Sequence, residues 1–198
     1  MGLVVPLSAM DPSASSSGDE RPLLNLHHYA ARPDLLPPLV LRAIDEVDDQ
    51  AVKSAVFVAE IDPANMAGET FCATYGLARE HGANCVVMKA TRASRAWYAA
   101  GLVPVGCRMD IGGAVRRRLG ARIVSVAPLH EVLDVTAMEY GSITVVGLPA
   151  DWAVLIDERL CNLDHVFIGS GYARSKLRVP GSFLRLLPNA TACSDLVQ

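Results

Sequence analysis

Apolar residues recur along this chain at two spacings, and the pattern predicts a protein in which strands and helices interleave. Short apolar runs bounded by turn residues predict strands at 55–61, 83–90, 95–105, 122–125, 153–157, 166–169 and 176–179. Helical spacing or cap residues predict helices at 35–47, 68–75, 110–119, 128–136, 158–163 and 182–187. The first helix must begin at or after Pro37 and Pro38, and Gly76 is expected to end the second.

The order of these elements predicts an α/β fold of the α+β type, in a single domain. Strands and helices alternate without the strict rhythm of a doubly wound fold, so we expect a mixed central β-sheet with helices packed around it. The chain has 198 residues, of which 51% are hydrophobic, and this is enough for one buried core. Residues 1–22, rich in serine and charge, are expected to form a disordered N-terminal tail ahead of a domain at 23–198.

Composition narrows the classes of partner and compartment. The net charge of −3 gives no broad basic surface, so a nucleic-acid partner would have to be met by a local patch. Five widely spaced cysteines, an odd number, do not resemble a disulfide framework and favour a cytoplasmic protein. No signal peptide or membrane span is predicted.

Several common chemical motifs are missing from the sequence. It contains no Walker A run, no G-x-S-x-G elbow, no H-E-x-x-H and no C-x-x-C. The run Gly169-Ser170-Gly171 lacks the third glycine of a dinucleotide fingerprint. Cys72, His81 and Cys85 could supply three zinc ligands, but no fourth is evident, and buried thiols beside a surface histidine are the better interpretation. No metal or cofactor is therefore predicted.

Two features remain with more than one interpretation. The small residues of Gly141–Gly147 could expose backbone amides to a ligand, or could form a plain turn. Three consecutive arginines, Arg116, Arg117 and Arg118, cannot all face a core from one helix, so they either form a solvated face or contact phosphates. Lys176, close after the second glycine run, would place a positive charge beside a pocket at these loops.

An ordered series of segments resembles the YbaK-like, or prolyl-tRNA synthetase-associated, editing domain family. The C-terminal segments are GSITVVG (141–147), AVLIDERL (153–160) and VFIGSGYARSKLRVPGSFLRLL (166–187). The upstream segments are EIDPANMAGETFCATYGLAREHGANCVVM (60–88) and DIGGAVRRRLGARIVSVAPLHEVLDVT (110–136). The resemblance covers about 56–187, which is most of the chain.

The resemblance implies a mixed α/β fold with a cleft for the aminoacylated 3′ end of a tRNA. It implies hydrolysis of the ester when the amino acid is wrong, by positioning of the substrate and without a metal or a protein nucleophile. The implied partners are the tRNA acceptor end and an aminoacyl-tRNA synthetase. The alternative is a non-catalytic member of the same fold that binds tRNA, a small ligand or a synthetase.

The resemblance and the chemistry of the loops together predict three sets of residues. The catalytic set is Gly141, Ser142, Thr144, Gly147 and Asn84, with the amides of Gly141, Ser142 and Gly147 binding the oxyanion. The substrate-binding set is Asp157, Gly169, Ser170, Gly171 and Lys176, although Asp157 could equally cap the next helix. The set for tRNA phosphates is Arg116, Arg117 and Arg118.

Three positions depart from the family pattern. Asn84 stands where the family commonly carries a lysine, Gly169 where it often has a serine, and Val145 where its loop has a proline. Asparagine can hydrogen-bond a ligand but cannot neutralise a phosphate. Lys89 lies on the other face of the same strand and is a poor substitute, so Lys176 or the arginine run would have to bind the phosphate.

Overall fold

The computed structural model describes residues 22–198. The predicted tail at 1–22 therefore lies outside the described residues, apart from Pro22. No helix in the described part of the chain is both long and apolar enough to cross a membrane.

Nine strands form two sheets in residues 22–198. The strands are β1 (Leu26–His28), β2 (Phe57–Glu60), β3 (Ala83–Arg92), β4 (Arg95–Pro104), β5 (Ile123–Val126), β6 (Ala153–Asp157), β7 (Val166–Gly169), β8 (Ser175–Val179) and β9 (Ala190–Cys193). One sheet is antiparallel with the order β1-β2-β8-β7, and the other is mixed with the order β5-β3-β4-β6-β9. The mixed α/β class is confirmed, but the strands are divided between two sheets, which meet where Gly82 pairs with Phe167.

Seven α-helices connect the strands of the described chain. They are α1 (Pro38–Asp45), α2 (Gln50–Ser54), α3 (Gly68–Tyr75), α4 (Arg116–Arg118), α5 (Leu129–Thr136), α6 (Glu158–Cys161) and α7 (Gly181–Arg185). A π-helical turn, Ile111–Val115, leads directly into α4. Asp110 caps it by accepting hydrogen bonds from the N–H groups of Gly113 and Ala114, at 3.0 and 2.8 Å.

The expected helix boundaries follow from local chemistry. The first long helix begins at Pro38, because proline suits the first helical turn and disrupts later ones. Gly76 ends α3 in the left-handed conformation, as its missing side chain predicts. The strands β1 and β9 and the helix α2 were not predicted, since three to five residues give too short a pattern to recognise.

The main core lies between the two sheets and the helices. Leu102, Ile156, Leu177 and Phe183 are among its fully buried members. A second, smaller cluster around Phe71 and Phe167 packs α3 against the antiparallel sheet. This packing fixes α3 beside the ends of β3, β7 and β8, where most of the predicted site residues lie.

Candidate functional site

Two glycine-containing loops lie side by side at one edge of the sheets. We call residues 137–147, between α5 and β6, the Gly141 loop, and residues 169–175, between β7 and β8, the Gly169 loop. Glu139 N–H donates to the Gly171 carbonyl and Gly171 N–H donates to the Ser142 carbonyl, both at 2.8 Å. The structure therefore brings the two predicted loops together.

Gly169 is required for this close approach. A Cβ at residue 169 would stand 2.5 Å from the carbonyl oxygens of both Ser142 and Ile143. Because the neighbours are backbone atoms, they cannot move aside as a flexible side chain would. The serine that the family often carries at this position could not fit here without separating the loops.

The segments that flank the Gly141 loop are held by side chains of β3 and β4. Glu131, in the first turn of α5, forms an ion pair with Lys89 at 2.8 Å and accepts a hydrogen bond from the Tyr98 hydroxyl. The Lys89 hydrogen bond lowers the pKa of the Glu131 carboxyl. Trp152, at the start of β6, stacks on Tyr98 with 4.9 Å between the ring centres. The loop therefore connects two elements that are fixed to the sheet. Lys89 is used in the ion pair that fixes the first of them.

Several donors of the Gly141 loop have no acceptor among residues 22–198. These are the N–H groups of Tyr140, Gly141, Ile143, Val145 and Gly147. Ser142 N–H, by contrast, donates to the Glu139 carbonyl at 3.1 Å, so it is used within the loop instead of facing a ligand. Thr144 is fully buried, and its hydroxyl accepts from Val146 N–H at 3.4 Å. Thr144 therefore shapes the loop, while the amides beside it stay free.

Ser142 Oγ is buried without a hydrogen-bond partner. In the described part of the chain it is the one buried side-chain N or O atom in this state. Leaving a buried hydroxyl unpaired costs roughly 1–3 kcal/mol. An unpaired buried group in a folded protein calls for an explanation, and a catalytic role, local strain or an ordered water are the usual ones.

The serine hydroxyls of the Gly169 loop are both hydrogen-bonded within the protein. Ser170 Oγ lies 2.7 Å from Ser175 Oγ and 2.9 Å from the Ser175 carbonyl oxygen, and it accepts from Tyr172 N–H at 3.3 Å. Ser175 Oγ donates to the Leu35 carbonyl at 2.6 Å. The hydroxyl of Ser170, expected to face a substrate, is instead directed into the protein.

The segment Met66–Phe71, which includes the first turn of α3, contacts three predicted site residues. The Met66 side chain lies against Gly141, where a Cβ would stand 2.7 Å from its sulfur. Gly68 lies against Asn84 Oδ1, which would be 2.4 Å from a Cβ at residue 68. The ring of Phe71 lies 5.5 Å from Lys176 Nζ. Gly141, Asn84 and Lys176 each lie beside this one stretch of chain. The three predicted residues are therefore grouped around it.

Lys176 is a buried amine. Its side chain is 5% exposed, and among residues 22–198 it forms no ion pair. Burial lowers the pKa of Lys176 to about 8. Its positive charge is therefore present at neutral pH but poorly solvated, so a negative group at this position would be favoured.

Asn84 has an available amide. The side chain is half-buried and makes no hydrogen bond to any other residue of the described chain. In strand β3 it pairs with Val103 of β4, and it precedes Cys85, a thiol whose pKa burial raises to about 12. Asn84 can donate to and accept from a ligand at the start of α3.

Other predicted residues lie away from this group or have structural roles. Asp157 caps α6, accepting from Arg159 N–H at 3.1 Å, and forms an ion pair with the Arg159 side chain at 2.8 Å. This favours the capping interpretation over contact with a ribose. Gly147 packs against Leu39 of α1, and Gly171 packs against Pro37. The run Arg116–Arg118 lies at the far end of β3 from Asn84.

His81, one of the candidate zinc ligands, lies near different residues from those expected. Its ring stacks on His165 at 4.3 Å, and its Nδ1 lies 2.9 Å from the His165 carbonyl oxygen. His81, Asp164 and His165 each offer a ligand atom within 4.8 Å of the others. The residues that meet His81 are more than eighty positions away, so no local pattern predicts this cluster. It joins the start of β3 to the start of β7.

Sequence reasoning also missed Met66, which borders Gly141. A single methionine in a turn carries no signal, and only the packing of α3 identifies it.

Comparisons with known proteins show the family and agree with the fold. The profile of a family described as an aminoacyl-tRNA editing domain matches residues 40–186. A solved structure described as a candidate trans-editing enzyme for prolyl-tRNA synthetase shares 20% identity and a TM-score of 0.65, over 82% of this chain and 99% of that one. A hypothetical protein shares 17% identity and a TM-score of 0.67, over 81% and 99% of the two chains. No curated protein matches the sequence, and likenesses at these identities show the fold alone.

Proposed function

Because the chain belongs to the aminoacyl-tRNA editing domain family, we propose that it is a free-standing deacylase that hydrolyses the ester bond of mischarged tRNA. The observation that carries the proposal is the set of N–H donors in the Gly141 loop that have no acceptor in the described chain, together with the buried, unpaired Ser142 Oγ. An ester carbonyl placed there would complete hydrogen bonds that the described protein leaves unmade.

In the proposed reaction the loop stabilises developing charge. Water adds to the ester carbonyl carbon, and the carbonyl oxygen becomes an oxyanion facing the N–H groups of Gly141 and Ile143. The carbon–oxygen bond to the ribose then breaks, and the ribose oxygen takes up the proton that the water released. A donor held in place for an oxyanion is worth about 10²–10³ in rate. The proposal requires no protein nucleophile and no metal, only groups held in position.

The other site residues have supporting roles in the proposal. The Ser142 hydroxyl donates to the substrate, and Asn84 binds the terminal nucleotide from the start of α3. Lys176 provides a positive charge for a phosphate, in place of the lysine that Asn84 replaces. Gly169 and Gly171 keep the second loop close enough to form the opposite wall. Thr144 and Gly147 maintain the shape of the first loop.

The proposed partners follow from the proposed substrate. A mischarged tRNA presents its acceptor end, and the synthetase that releases it is the expected protein partner. The cysteines of the described chain are free and mostly buried, which fits a reducing cytosol where tRNA is charged.

A non-catalytic member of the same fold is the competing function. Asn84 favours it, because an amide replaces the expected lysine and cannot supply a charge or transfer a proton. Such a protein would hold the acceptor end or a synthetase without turnover.

A panel of tRNAs, each mischarged with one amino acid, separates the two functions. We expect at least one member of the panel to lose its amino acid faster with the protein than in buffer, with that excess rate proportional to enzyme concentration. Heat-denatured protein provides the control for a contaminating base. If every tRNA loses its amino acid at the buffer rate, yet binds the protein, the non-catalytic function is correct.

A further inference from the structure

An arginine-lined cleft lies at the end of the mixed sheet away from Asn84. It has a volume of about 570 Å³ and is lined by Arg92, Ala93, Arg116, Arg117, Gly120, Ala121 and Arg122. The charged residues of the lining are four arginines, with no carboxylate among them. In a chain of net charge −3, this is a local concentration of positive charge.

Two of the arginines are held in place by backbone carbonyls. Arg92 Nη1 donates to the Gly120 carbonyl at 3.1 Å, and Arg116 Nε donates to the Gly112 carbonyl at 2.8 Å. Arg122 is fixed through its backbone, because its N–H donates to the Thr91 carbonyl at 2.8 Å. A guanidinium has five N–H donors, so one bond to a carbonyl orients the group and leaves the others for an anion.

Tertiary contacts change which arginines form the basic cluster. Arg118 donates to Asp195 through Nε at 2.8 Å, so its charge is already paired. Arg117 lies 3.8 Å from the same carboxylate, with 64% of its side chain exposed. Arg92, from the far end of β3, and Arg122, which lies four residues after the run, join Arg116 and Arg117 in the cleft.

The cleft is too far from the loops to share a small ligand with them. Arg92 and Asn84 lie at opposite ends of β3, eight residues apart. At ~3.3 Å per residue of strand, the separation is roughly 26 Å. One molecule that occupies both places must be a polymer with negative charges along its length.

We propose that the arginine cleft binds the phosphodiester backbone of the same tRNA whose 3′ end enters the Gly141 loop. The inference rests on the proposed function for the identity of the RNA, but not for the binding itself. Exposed guanidinium groups contact backbone phosphates without reading sequence, so the cleft positions the tRNA and leaves selection of the amino acid to the loop. It therefore contributes to affinity rather than to the chemical step.

Binding of uncharged tRNA, measured by fluorescence anisotropy across a range of salt concentrations, tests the proposal. The variant Arg117→Gln/Arg122→Gln removes two charges without breaking the carbonyl contacts of Arg92 and Arg116. Each lost phosphate contact should reduce the slope of log K against log salt by about 1. We expect a loss of about 2 in slope, and affinity weaker by roughly 50-fold near 0.1 M salt. Arg185→Gln, an exposed arginine on α7, is the matched control and should bind as the wild type does.

The slope of log K against log salt tests RNA binding by the cleft whether or not the protein is an enzyme. If the double variant keeps the wild-type slope and affinity, or if the wild type binds no tRNA, the cleft is not an RNA site. If tRNA binding depends on the cleft but no mischarged tRNA is hydrolysed, the inference holds and the proposed reaction fails. For an active protein, the double variant should raise KM for full tRNA with kcat unchanged. It should leave hydrolysis of a short aminoacylated oligonucleotide, which cannot reach the cleft, as it was.

Discussion

The Gly141 loop and the Gly169 loop lie against each other and each buries a serine, but the two serine hydroxyls are in opposite hydrogen-bonding states. Ser142 and Ser170 are both fully buried. Ser170 has partners on three sides, whereas Ser142 Oγ has none in the described chain. The Gly169 loop, whose buried serine hydroxyl is hydrogen-bonded, supports the structure. The Gly141 loop, which has several unpaired donors, is available to a ligand. Four predictions, made with five substitutions and their controls, test this difference.

Gly141→Val should produce the largest effect, a loss of 10²–10³ in kcat/KM for mischarged tRNA. Residue 141 has φ +81°, where a branched side chain is strained, and the Met66 side chain occupies the space beside it. Gly106→Val is the matched control, because residue 106 has φ +83° and no atom closer than 3.8 Å to an added Cβ. Equal losses of kcat/KM in the two variants would mean that backbone strain alone explains the effect.

Lys176→Met should stabilise the protein by up to about 3 kcal/mol at pH 7 while impairing activity. The pKa of Lys176 is about 8 in the folded protein, below its ordinary value of 10.5, so the unfolded chain binds more protons between these values. The unfolding free energy of the wild type should therefore rise with pH from about 8 to 10.5, and that of the variant should rise less. Urea denaturation at pH 7.5 and pH 10 measures both. A less stable variant at pH 7.5 would show that the amine has a partner when folded.

Gly169→Ala should destabilise the fold by roughly 2–3 kcal/mol, because its Cβ would overlap two backbone carbonyls. Thermal or urea unfolding measures the loss. Gly112→Ala is the control, since a Cβ at residue 112 meets nothing within 4 Å. A neutral Gly169→Ala would mean that the two loops can separate without cost.

Ser142→Ala and Ser170→Ala should affect different quantities, each by about 1–2 kcal/mol. Ser170→Ala should lower the free energy of unfolding, and Ser142→Ala should lower the stabilisation of the transition state. Ser170→Ala removes the partner of the Tyr172 amide and of the Ser175 hydroxyl, so unfolding should become easier. Ser142→Ala removes an unpaired buried hydroxyl, so stability should stay level or increase while kcat/KM falls about tenfold. Melting temperature and deacylation rate, measured on both variants, separate these results. Loss of stability in Ser142→Ala with unchanged kcat/KM would contradict a role in substrate binding.

Much of the local structure was predictable because it depends on short-range patterns. The strand β6 and the cap at Gly76 follow from apolar runs and from the conformational freedom of glycine. The family resemblance is confirmed, since an ordered series of motifs persists when the overall identity is low. The two sheets were not predictable, because strand pairing such as β2 with β8 joins residues more than a hundred positions apart.

The candidate site, too, was predictable only in part. Sequence pointed to Gly141, Asn84 and Lys176 as separate positions, and only the packing of Met66, Gly68 and Phe71 brings them to one segment. Ser170 and Arg118 carried the same sequence signals as Ser142 and Arg117. Ser175 pairs with the Ser170 hydroxyl. Asp195 lies 2.8 Å from Arg118 Nε but 3.8 Å from Arg117, so Arg118 is the more tightly paired of the two arginines.

The sequence by itself determined most of the elements, the family and the two glycine loops, because periodicity, capping and glycine placement act over a few residues. Tertiary structure alone decided which polar groups in those loops remain unpaired and which arginines share a cleft. Whether a hydroxyl or a guanidinium is free depends on the atoms packed around it, and those atoms come from distant parts of the chain.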